Sequence, residues 1–262
     1  LRLFYPLLKK LFIFVLLFGF LASFSQVRKK HYRQHELGLF GGASYYLGDL
    51  NPRTHFVYSK PAFGAFYRLA TGKRVAFRFG ADYGTVYGSD SKSKDAAQLE
   101  RNLNFTSNIY DGYAIAEFNF VDYRIGSNND YFTMFLFAGV GVFHFDPQSN
   151  VKGIGSVDLE HVHTEGQRYS KIQMNLPFGV GIKWNATKII GFGFEWGPRK
   201  LFTDYLDDVS STYPNSVGPI SGTGDPQTMR GNPRTKDWYF YYGFTMQIRL
   251  PKKNIECTMG GG

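Results

Sequence analysis

The run Asp158-Leu159-Glu160-His161-Val162-His163-Thr164-Glu165 holds residue types that do chemistry near neutral pH. Two histidines at i and i+2 share one face of an extended chain, and with Glu165 beside them they are candidates for metal ligation or paired acid and base work. A metal site needs a third donor and a catalytic pair needs a shared target, and this spacing fixes neither; a polar hairpin is the plainer reading. Asp204, Asp207 and Asp208, within Lys200-Leu201-Phe202-Thr203-Asp204-Tyr205-Leu206-Asp207-Asp208, bring oxygens of the kind calcium collects, about six to eight at a time. Carboxylates so placed more often cap turns or bond neighbouring loops. Ser210 and Ser211 cannot be joined to the histidines in a triad by order alone. The pairs Gly139/Gly141 and Gly191/Gly193 lack the following helix that a phosphate site requires. On these grounds no catalytic residue, cofactor or metal ligand is assigned.

The elements that would position these residues are extended. From Ile172 to Trp184 every second residue is large and apolar, opposed by Gln173, Asn175, Pro177, Gly179, Gly181 and Lys183. The same alternation sets Ile190, Phe192, Phe194 and Trp196 against Gly191, Gly193, Glu195, Gly197 and Arg199, and it returns from Trp238 to Leu250. Period two over seven apolar positions exceeds an ordinary strand and suits a tilted membrane-spanning one of about 9–11 residues. Strands are expected over 35–47, 61–70, 75–88, 104–123, 131–145, 171–184, 189–201 and 237–250. No helix-period stretch stands out.

Connections alternate short and long. Residues 71–74, 124–130 and 185–188 make turns, whereas 48–60, 89–103, 146–170 and 202–236 make loops. That layout predicts an all-β fold, an eight-stranded antiparallel transmembrane β-barrel with short periplasmic turns, long extracellular loops and both termini periplasmic. Hydrocarbon leaves no backbone polar group unpaired, so a sheet spans it only as a closed barrel, apolar outside and polar within. A soluble sandwich is the alternative for an apolar strand face. Eight strands leave an interior that side chains nearly fill, which argues against a diffusion pore. Arg78, Asp82, Glu117, Lys183, Glu195, Arg199 and Arg249 are expected to pair inside it, with Gly179, Gly181, Gly191 and Gly193 making room for long charged neighbours. Trp184 is placed near the periplasmic boundary and Trp196 and Trp238 toward the outer one.

Arg2, Lys9 and Lys10 precede an apolar run from Leu11 to Ala22, and Ser23-Phe24-Ser25 supplies small residues before Gln26. The run is shorter than the roughly 20 residues of a spanning helix, so 1–25 reads as a signal peptide rather than an anchor, 26–250 as the barrel and 251–262 as a periplasmic tail. Without residues 1–25 the formal charge falls from +9 to +6, and the excess looks modest and scattered among turns and loops. A nucleic-acid site would want a basic stripe interleaved with stacking aromatics, so that class is set aside. One cysteine, Cys257, excludes an internal disulfide. With Lys252 and Lys253 on the tail it is a candidate partner contact, including an intermolecular disulfide.

Several segments go further. Leu47-Gly48-Asp49-Leu50-Asn51-Pro52, Lys60-Pro61-Ala62-Phe63-Gly64, Arg101-Asn102-Leu103-Asn104-Phe105, Gly141-Val142-Phe143-His144-Phe145, His163-Thr164-Glu165-Gly166-Gln167 and, most distinctively, Phe202-Thr203-Asp204-Tyr205-Leu206-Asp207-Asp208-Val209-Ser210 resemble the PorG family of outer-membrane barrels. The resemblance implies a non-enzymatic part in the type IX secretion system, which shares components with gliding motility in some bacteria. It also implies association with the periplasmic ring of the lipoprotein PorK and its partner PorN. No catalytic residue is carried over. The competing expectations are an enzyme or receptor working through His161, His163 and Glu165 on the outer loops, and a passive stabilising or adhesive barrel.

Overall fold

The computed structural model describes residues 33–92, 95–151, 155–159, 169–209, 231 and 236–251. Among these described residues nine strands run in chain order: β1 (Gln34–Leu47), β2 (Lys60–Ala70), β3 (Val75–Ser89), β4 (Asn104–Asn119), β5 (Phe132–Val151), β6 (Gly155–Asp158), β7 (Ile172–Asn185), β8 (Ile190–Leu201) and β9 (Trp238–Arg249). All pair antiparallel, in the order β4-β3-β2-β1-β9-β8-β7-β5-β6, and β4 also pairs with β5. That last pairing closes eight strands into a barrel and removes every long edge. The short β6 stands apart as a hairpin on β5, from Gln148↔Asp158 to Val151↔Gly155.

The expected barrel strands are therefore present within a few residues of their expected bounds. Three differences have physical causes. β4 ends at Asn119 because Asn119 bonds back to the β2–β3 turn, its amide to the Arg74 carbonyl at 2.7 Å and its side chain to the Lys73 carbonyl at 3.0 Å. β5 outruns its expected end because β6 pairs with it above the barrel. A short helix, α1 (Ala96–Arg101), follows a single 3-10 turn at Asp90–Lys92. Six residues are too few for a helical period to show in sequence, and Asn102 stops the helix in the left-handed region at φ 49°.

Side chains alternate cleanly across the wall. Leu37, Leu39, Phe63, Phe79, Leu136, Val142, Phe178, Val180 and Phe244 are exposed on its outer face, while Arg68, Arg78, Phe135, Phe137, Lys183 and Arg199 are buried within. A continuous apolar outer wall on an otherwise closed barrel is stable only against lipid, so this is the architecture of an outer-membrane protein. The seam between the first and last strands, β1 and β9, runs from Glu36↔Arg249 to Leu47↔Trp238. At its centre Gly42 and Gly243 face each other, and a Cβ on Gly42 would lie 2.1 Å from the Tyr242 carbonyl oxygen.

Candidate functional site

The interior is where charged side chains collect, and it has two layers. Toward the turns, Glu117 lies 2.9 Å from Arg68 Nε, 3.0 Å from Arg78 Nε and 2.6 Å from Lys183 Nζ. Arg68 reaches on to Glu36 at 3.0 Å, and Arg78 donates to both oxygens of Glu195 at 2.7 and 3.3 Å. Phenyl rings insulate the cations: Arg78 lies over Phe66 and Phe137, and Lys183 sits 4.1 Å from the centre of the Phe135 ring. One layer up, Arg199 contacts Asp111 at 3.0 Å and Asp82 at 3.5 Å, and Asn175 donates to Asp111 at 2.8 Å and to the Tyr239 hydroxyl at 2.7 Å. Excellent geometry of this sort offsets the cost of taking charge out of water.

Six of the seven lumenal residues named from sequence thus lie in paired sets, Arg78, Glu117, Lys183 and Glu195 in the first layer and Asp82 and Arg199 in the second. Arg249 does not join it. It sits at the mouth and donates to the Ile125 carbonyl at 3.2 Å. Sequence reading missed Glu36, Arg68 and Asp111, which occupy inward positions on strands whose alternation glycines and alanines blur. The glycines also serve differently from expectation: a Cβ on Gly181 would lie 2.5 Å from the Phe135 ring and one on Gly179 would lie 2.6 Å from that of Phe137. These two make room for rings, whereas Gly193 lies beside the Lys183 side chain as expected.

The loop end is closed by an apolar core. Phe105, Ile109, Phe143, Phe145, Leu201 and Leu206 are fully buried together around Tyr46 and Tyr239. The Tyr46 hydroxyl donates to Asp207 and, at 3.0 Å, to Asp237, whose second oxygen accepts the Leu206 amide at 3.0 Å. Tyr169 donates to Asp208 at 2.9 Å, and the Val209 amide donates to Asp207 at 3.0 Å. The aspartates therefore tie the fourth loop onto the barrel, the turn-capping role, and Gly48 is forced, since a Cβ there would lie 2.0 Å from the Tyr46 hydroxyl. Burial, then the negative charge of Asp207, Asp204 and Asp49, raises the Asp237 carboxyl well above its ordinary range. Among the described residues no group of three His, Cys, Asp or Glu could hold a metal ion. His161, His163 and Glu165 lie outside the described residues, as do residues 1–25, Lys252, Lys253 and Cys257.

The turn end is closed as well. Residues 120–131 fold across the mouth and bury Tyr123 and Ile125. Asn185 donates to the carbonyls of Arg124 and Ser127 at 2.8 and 3.2 Å, and Gly126, at φ 87°, lies so close beneath Lys188 that a Cβ would meet its carbonyl oxygen at 2.4 Å. Lys73 bridges Asp130 at 2.9 Å and Asp122 at 3.3 Å, and Arg74 pairs with Asp122 at 3.0 Å. The Arg74 guanidinium beside Asp122, with Lys73 adding to it, holds that carboxyl below the ordinary aspartate range.

Charge divides unevenly between the two ends, contrary to the scattered excess expected. Residues 48–60, 89–104, 146–171 and 200–237 hold twelve basic and thirteen acidic residues. Among the described residues the turn end holds six basic side chains, Arg33, Lys73, Arg74, Arg124, Lys188 and Arg249, and two acidic ones, Asp122 and Asp130. The sequence on either side of the barrel adds Arg28, Lys29, Lys30, Lys252 and Lys253 against one acidic residue, Glu256. Of the predicted interfacial tryptophans, Trp184 lies by the turn end, pairing with Phe132 and Phe192. Trp238 starts β9 at the loop end, and Trp196 donates to the Tyr45 hydroxyl at 3.0 Å on that side of the wall.

A family model described as a domain of unknown function, DUF6089, matches residues 9–259. No curated protein matches the sequence. Among solved structures the chain is similar to Ail, the attachment invasion locus protein of Yersinia pestis, at 10% identity and TM-score 0.42, covering 83% of this chain and 99% of that one. It is also similar to the N-terminal β-barrel domain of Pseudomonas aeruginosa OprF, at 10% identity and TM-score 0.38, covering 84% and 100%. The outer membrane enzyme PagL matches at 11% identity and TM-score 0.34, covering 82% and 99%.

Proposed function

We propose that this chain, which belongs to the DUF6089 family and folds as an outer-membrane barrel, is a non-enzymatic structural subunit of the type IX protein secretion machinery, and of gliding motility where the two share parts. In this reading residues 1–25 direct export, the turn end and both termini face the periplasm, and that end contacts the ring of PorK-like and PorN-like proteins. The observation that supports it most is how the segments resembling PorG converge. Leu50, Ala62, Leu103, Phe105, Phe143, Phe145, Leu206 and Val209, drawn from five of those segments, pack in one core beneath the loops. With side chains filling both ends, the barrel offers surfaces to partners rather than a passage or a reaction chamber.

The tail after β9 supplies a second contact in this reading, with Lys252 and Lys253 beside Cys257, whose thiol is free to form a disulfide to another protein in an oxidising compartment. Extraction from outer membranes in mild detergent, compared on non-reducing gels with Cys257→Ser, tests both parts. Ring proteins should travel with both proteins, and a higher band should vanish only in the variant. A deletion strain that still secretes its cargo at the normal rate removes the proposal.

A further inference from the structure

Resting on that reading, we infer that the turn end is a docking face for an acidic protein surface, held over the closed mouth by excess positive charge. The mouth is not a pore whose charges line a path, because Ile125 and Tyr123 stop it. It is a nearly solid platform on which six described basic residues meet two carboxylates. Both carboxylates are already engaged, since Lys73 takes Asp122 and Asp130 and Arg74 shares Asp122. Arg249 spends its described bond on a backbone carbonyl. Lys188 is exposed on the β7–β8 turn, and Arg33 is exposed where β1 begins. An excess of like charge at one end of the isolated barrel repels itself, and a surface of opposite sign relieves that cost while steering its own approach.

The alternative anionic occupant is the phospholipid headgroup layer, which surrounds a barrel at its perimeter. The charges with described contacts turn the other way. Lys73 and Arg249 both reach the residue 120–131 cap that crosses the mouth, and Gly126 of that cap lies directly under the backbone of Lys188. Charge drawn onto the cap across the mouth is placed for a body beneath the barrel, and the loop end, balanced in sign, gives no comparable platform.

The test uses the full chain in native outer membranes with the double reversal Arg33→Glu, Lys188→Glu, which touches no described ion pair, and Lys60→Glu at the loop end as the control. Folding is checked by the mobility shift between heated and unheated gel samples. After chemical crosslinking, ring proteins should be captured by the wild type and by Lys60→Glu, with crosslinked peptides rich in Asp and Glu. The double reversal should lower the yield at least about tenfold, as should raising salt from about 50 to about 300 mM before crosslinking. Equal capture by the double reversal overturns the electrostatic inference and leaves the scaffold reading standing. Capture of no ring protein by the wild type sinks both. Retention of the purified wild type, but not the double reversal, on vesicles of anionic phospholipid with no acidic peptide crosslinked would reassign the charge to headgroups and overturn the inference.

Discussion

Toward the loops the barrel interior is filled by Phe105, Phe143, Phe145, Leu201 and Leu206 around Tyr46; toward the turns it is filled by Glu117 set among Arg68, Arg78 and Lys183. Both halves exclude water, but their energetics differ in kind. An apolar core gains roughly in proportion to the area it hides and accepts a neighbour of similar volume. An ionic core gains little over an apolar one of the same shape, yet losing one member leaves an uncompensated charge that has nowhere to go. The loop-side half is therefore tolerant of conservative change and the turn-side half is not.

The largest expected effect follows from that asymmetry. Glu117→Gln leaves three buried cations facing a neutral amide and should cost about 3–5 kcal/mol in urea unfolding from lipid vesicles. A loss below about 1 kcal/mol would mean that water enters the turn-side half and screens it, and the contrast between the halves would fail. On the other side, Leu206→Ala should cost about 2–5 kcal/mol through the cavity it opens, while Leu206→Met should cost less than about 1.5 kcal/mol. Similar losses for the two Leu206 variants would show that this half is not close-packed.

Between the halves lies the wall that both lean on. Gly181→Ala places a methyl 2.5 Å from the Phe135 ring and should cost about 1–3 kcal/mol. Combining it with Phe135→Leu should recover part of the loss, because residues in contact do not add independently. Simple additivity in the double variant would show that the backbone, not the ring, takes up the strain.

Much of this was legible beforehand, and the rest has identifiable reasons for being hidden. The strands β7, β8 and β9 announce themselves because the outward positions from Ile172 to Trp184, Ile190 to Trp196 and Trp238 to Ile248 are large and apolar, and Lys183, Glu195 and Arg199 then fall inward by parity alone. Asp111 and Glu36 escaped because Gly112, Ala114 and Gly41 dilute the outward face of their own strands. The apolar loop-side core was hidden for a different reason. A lumen is expected to be polar, and nothing in the alternation of Phe143 and Phe145 says that loops will fold down to cover them. The buried aspartates could be read only as a cluster, since their partners Tyr46 and Tyr169 lie far away in the chain. The basic turn end was readable by sorting residues according to strand end, and it looked scattered only along the linear sequence.

The smallest expected effect sharpens the comparison of the two ends, because their aspartates respond to acid in opposite directions. Asp122 is held below the ordinary aspartate range by Arg74, so what it contributes is complete above that range and is lost as pH falls through the lowered value. Asp237 is raised well above the range, by burial first, so what it contributes is complete below the ordinary range and is lost as pH rises through the raised value. Amide exchange corrected for its intrinsic rate reads each end separately. The Leu206 amide donates to Asp237, and the Tyr123 amide donates to the Lys73 carbonyl beside Asp122. As pH rises from the ordinary aspartate value, Leu206 should lose protection while Tyr123 holds steady; below that value Tyr123 should be the one to loosen. Asp237→Asn should flatten only the first slope and Asp122→Asn only the second. A single slope shared by both amides would mean that the halves open as one unit, and that the ionic and apolar fillings are energetically coupled through the wall.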